Sequence, residues 1–163
     1  MTAIDVIRTG LHSARATWER ALRPEDAPEG PIPELPRAQL VWRPVPGSHS
    51  IGRLLWHIAE TDDRFLREFI LQEPFQPKFG KTAFADSDDD SIPAWNDLMA
   101  YLEETRARTL ETLPQLADRL TEPRSFFGRS MSVGELLVLI ITHEAAHAGQ
   151  IAHIAGVIRR AGW

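Results

Sequence analysis

Two histidines four residues apart, His143 and His147, are the residues of this sequence best placed to do chemistry. The segment around them has the apolar periodicity of a helix, so the two imidazoles lie one turn apart on the same face. That face is otherwise apolar, because Ile140 precedes the pair by one turn and Ile151 follows it by one turn. Two imidazoles that point into a core are costly unless they pair or bind something. A shared divalent cation satisfies both, since imidazole suits zinc, nickel, copper and iron.

His57 is the natural third ligand for such an ion. It lies beside the apolar stripe of another predicted helix, on which Leu54 and Ile58 face the core. Taken alone, His57 would be interpreted as a hydrogen-bonded core histidine, and only the pair on the other helix favours a ligand. Three neutral imidazoles leave at least one coordination position open, which is the arrangement of a catalytic site rather than a structural one. The sequence therefore predicts a divalent metal on His57, His143 and His147, with zinc or nickel ahead of iron or manganese.

The string His-Glu-Ala-Ala-His at 143–147 also satisfies the H-E-x-x-H pattern of zinc proteases, in which the glutamate is the general base. His153 even occupies the place of the third histidine in metzincins. That pattern needs a glycine at position 150 to break the helix, whereas this chain has Gln150 and a helical pattern that continues beyond it. On a continuous helix His153 lies roughly 80° from His143 and about 120° from His147. The sequence therefore disfavours a protease.

Two neighbours of the histidine pair are candidate catalytic residues. Gln150 follows His147 by about one turn, where its amide can hydrogen-bond a metal ligand or a substrate. Glu144 is adjacent to His143 but projects about 100° away from it on a helix, so it is a candidate partner of the site or a general base. Each also has a simpler interpretation, Gln150 as a polar boundary residue and Glu144 as a solvated charge.

Four amphipathic segments must position these residues. Apolar residues recur at helical intervals along all four, although the stripe of the third is weakest in its middle. Thr2 with Asp5, and Ser132 with Glu135, have capping-box spacing at the start of the first and last segments. No strand pattern of any strength is visible. We therefore predict an all-α fold, a four-helix bundle that forms a single domain over residues 1–163. The predicted helices cover residues 2–22, 48–71, 92–113 and 132–160.

Long connections separate these helices. Residues 24–46 hold seven of the twelve prolines, so neither a helix nor a central strand is expected there, and a rigid extended connector is predicted. The connection after the second helix is unusually long for a compact domain, which predicts a crossover or a lid. Its acidic run, residues 86–90, is predicted to be a solvated approach to the third helix. The connector residues expected to pack on the bundle are Leu35, Leu40, Val41 and Trp42.

Composition narrows the classes of function. The fractions of hydrophobic and charged residues, 43% and 25%, are those of a globular protein rather than a disordered one. A net charge of −5 argues against nucleic acid as a partner, because nucleic-acid binding relies on a basic surface. The absence of cysteine excludes disulfides, iron–sulfur clusters and a thiol nucleophile of the chain's own. With no apolar run near ~20 residues and no secretory signal, we expect a cytoplasmic protein that acts on a small molecule and not at a membrane.

Two segments resemble a known family. Residues 50–66, SIGRLLWHIAETDDRFL, and residues 132–154, SVGELLVLIITHEAAHAGQIAHI, resemble the signature segments of the DinB-like (YfiT-like) superfamily, a group of small bacterial four-helix proteins. Its pattern is one histidine in helix two and His-x-x-x-His in helix four, followed closely by Gly-Gln. Where relatives usually have arginine before the Gly-Gln, this chain has Ala148. The residues that match in order and spacing are His57, His143, His147, Gly149 and Gln150.

The resemblance implies a bundle of up-down-down-up topology, with a divalent metal on the three histidines and often a homodimer. Some relatives are thiol-dependent S-transferases or isomerases that use a low-molecular-weight thiol, and many others are described only as metal-dependent hydrolases. The metal would either lower the pKa of a bound water towards ~7 or hold the sulfur of a small thiol as thiolate. The thiol would be a cosubstrate, since the chain has no cysteine.

Three functions stay open from the sequence. The first is a metal-dependent enzyme that transfers a thiol to a small electrophilic substrate or hydrolyses it. The second is a non-catalytic stress or binding protein in which the metal site serves the structure alone. An exchangeable ligand position on the metal distinguishes these two, because only the enzyme needs one. The third is a helical scaffold whose site has decayed, and metal content alone distinguishes it.

Overall fold

The computed structural model describes residues 1–84 and 89–162, which form helices and one small hairpin. A π-helical segment, Phe65–Leu71, directly follows the helix Ile51–Arg64. Short 3-10 turns cover Asp89–Ser91 and Leu113–Arg119. The strands β1 (Pro123–Phe126) and β2 (Arg129–Ser132) pair antiparallel. The helices are α1 (Ala3–Leu22), α2 (Arg37–Val41), α3 (Ile51–Arg64), α4 (Trp95–Thr112) and α5 (Val133–Arg160).

Capping boxes begin the first and the last long helix, as the sequence predicts. The hydroxyl of Thr2 accepts from the backbone N–H of Asp5, and the Asp5 carboxylate accepts from the backbone N–H of Thr2. Ser132 and Glu135 make the same reciprocal pair at the start of α5. Each box satisfies backbone donors that the first helical turn leaves unpaired. From its cap, α5 runs without interruption to Arg160, which keeps His143 and His147 on consecutive turns of one helix.

The four long helices pack around two apolar clusters. α5 packs along α1 and against α3, and α3 also packs against α4. One cluster is centred on Trp56 and Leu98, and the other on Leu11 and Leu136, all of them buried. Burial of these faces fixes how α5 lies on α3, which is where the histidines meet. In the described part of the chain no helix is both long enough and apolar enough to cross a membrane.

The proline-rich connector is not wholly extended, which corrects the expectation from the sequence. The stretch after Pro36 lacks proline, and Arg37–Val41 form a short helix there. Leu40 of this helix is buried against Gly52, where an added Cβ would lie only 2.8 Å from the leucine side chain. A glycine at that position therefore lets α2 approach α3 closely. The other residues predicted to pack on the bundle do so, namely Leu35, Val41 and Trp42.

The hairpin between α4 and α5 is a second correction, because the sequence shows no clear strand pattern. Its two-residue loop, Phe127 and Gly128, has positive φ at both positions, 45° and 79°. Two positive φ values are typical of a type I′ turn, whose usual sequence signal is Asn-Gly or Asp-Gly. Here phenylalanine takes the place of the asparagine or aspartate, so the sequence does not indicate the turn. The second strand ends at Ser132, the cap of α5, so the hairpin delivers the chain to the helix that carries two of the histidines.

Two helix starts also differ from the predicted ones. α3 begins at Ile51 rather than at residue 48, because Ser50 caps it. Its π-helical continuation from Phe65 ends at Leu71, as predicted, and Gln72 beyond it has a left-handed φ of 59°. α4 begins at Trp95 rather than at residue 92, because Ala94 is extended and caps the helix. Of the acidic run predicted before this helix, residues 86–88 lie outside the described residues, and Asp89 forms an ion pair with Arg43.

Candidate metal centre

The imidazoles of His57, His143 and His147 meet between α3 and α5. Nε2 of His143 lies 3.0 Å from Nε2 of His57 and 3.1 Å from Nε2 of His147. The rings are inclined to one another by 69° to 83°, so they meet edge to face rather than stacking. One ligand nitrogen from each residue lies within 4.8 Å of the other two. The structure thus brings together the three histidines that the sequence singles out.

Hydrogen bonds among the three rings cannot satisfy nitrogens this close together. A neutral imidazole nitrogen is either a donor or an acceptor, so Nε2 of His143 forms at most one N–H···N bond with its two neighbours. Nδ1 of the same ring is buried and has no hydrogen-bond partner among the described residues. Three imidazole nitrogens around a tetrahedral ion, each ~2.0–2.1 Å away, lie about 3.3 Å apart. The two distances from Nε2 of His143 are close to that value, and the group can hold a divalent cation.

Burial keeps two of these rings in the form that binds metal. Desolvation, followed by the nearby imidazoles of His143 and His147, lowers the pKa of His57 to about 3. Desolvation and the neighbouring His147 lower the pKa of His143 to about 4. Both imidazoles are therefore neutral near pH 7 and keep a lone pair for a cation.

Hydrogen bonds on the far side of two rings fix their orientation. Nδ1 of His147 lies 2.8 Å from Oε1 of Gln150, and this oxygen accepts, so Nδ1 donates and Nε2 keeps its lone pair. Nδ1 of His57 lies 3.3 Å from the hydroxyl of Thr61, one turn along α3. Such partners set the tautomer of a metal-binding histidine. Gln150, predicted as a catalytic candidate, thus contacts His147, one of the three candidate metal ligands. Thr61 was not predicted, although its i+4 spacing from His57 could have indicated the contact.

Replacing Gln150 by alanine is expected to weaken binding of a divalent cation by about 10- to 100-fold, because His147 loses the acceptor that orients it. Gln150→Glu should retain the affinity of the wild type, since a carboxylate accepts the same hydrogen bond. Competition titration of zinc against a chromophoric chelator measures the difference. The matched control is Gln115→Ala at an exposed glutamine of the Leu113–Arg119 turn. Equal affinities of Gln150→Ala and this control would contradict the assignment.

Glu144 points into a buried cluster of charges rather than to the histidines. Its carboxylate accepts from the indole N–H of Trp18 at 3.0 Å and pairs with Arg106 through its other oxygen. Arg15 lies 3.7 Å from the same carboxylate, and Arg106 lies 3.5 Å from Asp62. The Glu144 side chain is 0% exposed. This corrects the interpretations of Glu144 as a solvated charge and as a general base, because a sealed carboxylate with both oxygens paired is neither exposed to water nor free to move a proton at the metal centre.

The remaining histidines stay outside the group of three. His12, His49 and His153 are all exposed. α5 continues past His153 to Arg160, so the helix break that a metzincin site needs does not occur. The protease pattern in the sequence is therefore not realised in the fold.

A cleft of about 480 Å³ opens beside the histidines. Gln150 belongs both to its wall and to the hydrogen bond with His147. His49 lines the other side of the cleft, and its ring centroid lies 4.7 Å from that of Phe84. The ring centroid of Phe84 in turn lies 4.2 Å from that of His57. The metal centre and the cleft are therefore neighbours.

Gly149, within α5, faces open space in this cleft. A Cβ built on it would meet nothing within 4 Å, so we expect Gly149→Ala to raise the free energy of unfolding by about 1 kcal/mol through helix propensity alone. Gly52 in α3 supplies the contrast, because a Cβ there would lie 2.8 Å from the Leu40 side chain and 3.0 Å from the Leu40 carbonyl oxygen, and Gly52→Ala should destabilise the protein. Urea denaturation of both variants checks the pair, and a destabilised Gly149→Ala would show that the position is not open.

Comparison with known proteins agrees with this structure. A profile of the DinB superfamily matches residues 32–151. The fold is similar to the crystal structure of a DinB-like protein from Bacillus cereus ATCC 10987, with a TM-score of 0.62 and 22% sequence identity over 94% of this chain and 91% of that one. No curated protein matches the sequence. The resemblance first seen in the two histidine-bearing segments is confirmed, and the chain belongs to the DinB superfamily.

Proposed function

We propose that the chain is a metal-dependent enzyme in which His57, His143 and His147 hold a divalent cation that activates water or a low-molecular-weight thiol. The observation that carries this proposal is the convergence of three Nε2 atoms next to an open cleft. Within residues 1–84 and 89–162 no cysteine, aspartate, glutamate or further histidine joins the group. Structural zinc sites use four protein ligands, whereas three leave a position for an exchangeable molecule.

A cation held by three neutral imidazoles lowers the pKa of water or of a thiol, which supplies hydroxide or thiolate near neutral pH. The chain's own residues prepare for this in two ways. Burial keeps His57 and His143 neutral, and hydrogen bonds of His57 to Thr61 and of His147 to Gln150 orient these two rings. Since the chain has no cysteine, a thiol that reacts here is a cosubstrate.

Further features are proposed with this function on the strength of family membership. They are zinc or nickel as the metal, helices in up-down-down-up order, a homodimer and a cytoplasmic location. A small electrophile is the proposed substrate, because the cleft volume of about 480 Å³ lies in the range of small-molecule sites.

Two linked measurements test the function. Elemental analysis of protein purified without chelator should find one divalent ion per chain. The visible spectrum of the cobalt-substituted protein should then change when azide or 2-mercaptoethanol is added, because each occupies the open coordination position. A stoichiometric metal whose spectrum no added ligand alters would instead support the non-catalytic alternative, in which the ion serves only the structure. A screen of thiols with 1-chloro-2,4-dinitrobenzene, and of nitrophenyl esters alone, then separates transfer from hydrolysis.

A further inference from the structure

We infer that the cleft beside the three histidines binds an apolar part of the substrate or thiol cosubstrate, and that Gly149 keeps this cleft open. The inference rests on the proposed function, since it assigns to the cleft the part of the molecule that does not react at the metal. It makes Gly149 a residue that determines specificity, although glycine has no side chain with which to touch a ligand.

The walls of the cleft suit an apolar chain or ring. Leu54 of α3 and Ile154 of α5 are both nearly inaccessible to water and form the deep side. Pro44 and Ala146 add apolar surface, while Ser48, His49 and His153 contribute polar atoms. A small molecule with an apolar body and a polar end therefore matches the described lining better than a fully charged one does.

The cleft continues from the metal centre along the two helices that carry it. Leu54 lies one turn before His57 on α3, and Gln150 lies about one turn after His147 on α5. Both residues line the cleft, and Gln150 also bonds to His147 at 2.8 Å. A ligand whose reacting atom lies at the three Nε2 atoms can therefore extend its remaining atoms over Gly149 without leaving the protein surface.

Gly149 differs from the tightly packed glycines of the chain. An added Cβ would lie 2.8 Å from the Leu40 side chain at Gly52 and 3.2 Å from the Leu120 carbonyl oxygen at Gly134, so close packing favours glycine at these helical positions. At Gly149 nothing lies within 4 Å, and yet a helix-interior glycine is unfavourable. Its φ also lies outside the left-handed range, so backbone conformation does not require glycine either. The absence of a side chain at Gly149 leaves open space, and this space is part of the cleft.

The test uses alkanethiols of increasing length as probes of cobalt-substituted protein. Sulfur-to-cobalt charge-transfer absorption reports binding of ethanethiol, butanethiol and hexanethiol at the metal. In the wild type, affinity should rise by about two- to fourfold for each methylene that enters the cleft. Gly149→Leu should leave ethanethiol affinity within about twofold of the wild type and abolish the rise with chain length, because leucine fills the space that the alkyl chain needs.

Gly156→Leu is the matched control, since this glycine also lies in α5 but not in the cleft. A Cβ there would meet only the flexible end of the Arg160 side chain, at 3.4 Å. The control should keep the dependence on chain length, which separates filling of the cleft from a general effect of leucine in the helix. Equal chain-length dependence in Gly149→Leu and in the wild type would overturn the inference.

A second probe separates failure of this inference from failure of the proposed function. If no thiol produces a charge-transfer band in the wild type, the proposed thiol chemistry fails, but the cleft is still testable with 1-anilinonaphthalene-8-sulfonate. This dye has an apolar body and a polar end, and its fluorescence in the presence of protein as purified should rise with the wild type and Gly156→Leu. Gly149→Leu should reduce the rise at least about fivefold. A dye response unaffected by Gly149→Leu would contradict the assignment of the cleft, whatever the metal does.

Discussion

Replacing Glu144 by alanine is expected to lower the free energy of unfolding by about 3–5 kcal/mol, among the largest effects of any single substitution in this chain. The carboxylate is wholly buried and pairs with Arg106, which is itself 5% exposed. Removing it takes the closest carboxylate from a buried guanidinium and leaves only Asp62, 3.5 Å away, and loss of a buried charge's partner is strongly destabilising. The indole N–H of Trp18 loses its acceptor as well. Urea denaturation followed by circular dichroism measures the change.

Two variants show whether burial is the cause. Glu73→Ala removes the partner of Arg108 in a solvent-exposed ion pair and should change stability by less than about 1 kcal/mol. The double variant Glu144→Leu with Arg106→Met removes both charges of the closest pair and should recover much of the loss, because the Arg106 guanidinium is no longer buried without this carboxylate. If Glu144→Ala were as stable as the wild type and lost only its activity, the result would contradict a structural role and support Glu144 as a general base.

The second large effect is expected at the metal centre, where His57→Ala should weaken binding of zinc by more than about 100-fold. Loss of an orienting partner alone weakens metal sites by about 10- to 100-fold, and loss of a ligand removes a direct bond. At a free zinc concentration of about 100 times the wild-type dissociation constant, zinc should stabilise the wild type by about 2.7 kcal/mol. The variant should gain almost nothing under the same conditions.

His153→Ala is the appropriate control for this substitution, because His153 is exposed on the helix that carries two of the ligands. It should bind zinc like the wild type in isothermal titration calorimetry. Thermal denaturation with and without zinc provides an independent readout that does not require an activity. Unchanged zinc affinity in His57→Ala would show that α3 contributes no ligand. The zinc would then be bound by His143 and His147 of α5 alone.

The long helices were predictable because each of them satisfies local and global requirements together. α5 has a capping box at Ser132 and an apolar face that continues to Ile158, and its observed bounds lie within one residue of those predicted. The first helix is similar, beginning with the box at Thr2. At such segments the periodicity and the cap both follow from the chain itself, so no tertiary information is needed.

The elements that the sequence did not indicate are those decided by their surroundings. α2 has only five residues, too few for a periodic pattern, and it depends on burial of Leu40 against Gly52. The hairpin turns on Phe127, an unusual residue for positive φ, and its strands are only four residues long. The π-helical turn beginning at Phe65 involves a change of hydrogen bonding that apolar spacing does not report.

The candidate metal centre divides in the same way. The sequence was sufficient to group His57, His143 and His147. The i, i+4 pair lies on an apolar face, and three imidazoles can together bind one divalent cation. Glu144 was misjudged because helical geometry gives the direction of a side chain and not the partner that it meets. The signal was present in α4, whose apolar stripe is weak in its middle, and the buried residues there include Thr105 and Arg106. A polar gap in a stripe can mark a buried charge pair as well as a solvated one.

The proposed function requires that three imidazoles from two helices hold one divalent ion and leave it a free position. X-ray absorption spectroscopy of the zinc-loaded protein tests this most directly, because it counts the ligands and their distances without reference to any activity. We predict three imidazole nitrogens at ~2.0–2.1 Å and at least one further light atom from solvent. A spectrum fitted by fewer than three imidazoles, or a protein that retains no stoichiometric zinc, would contradict the claim.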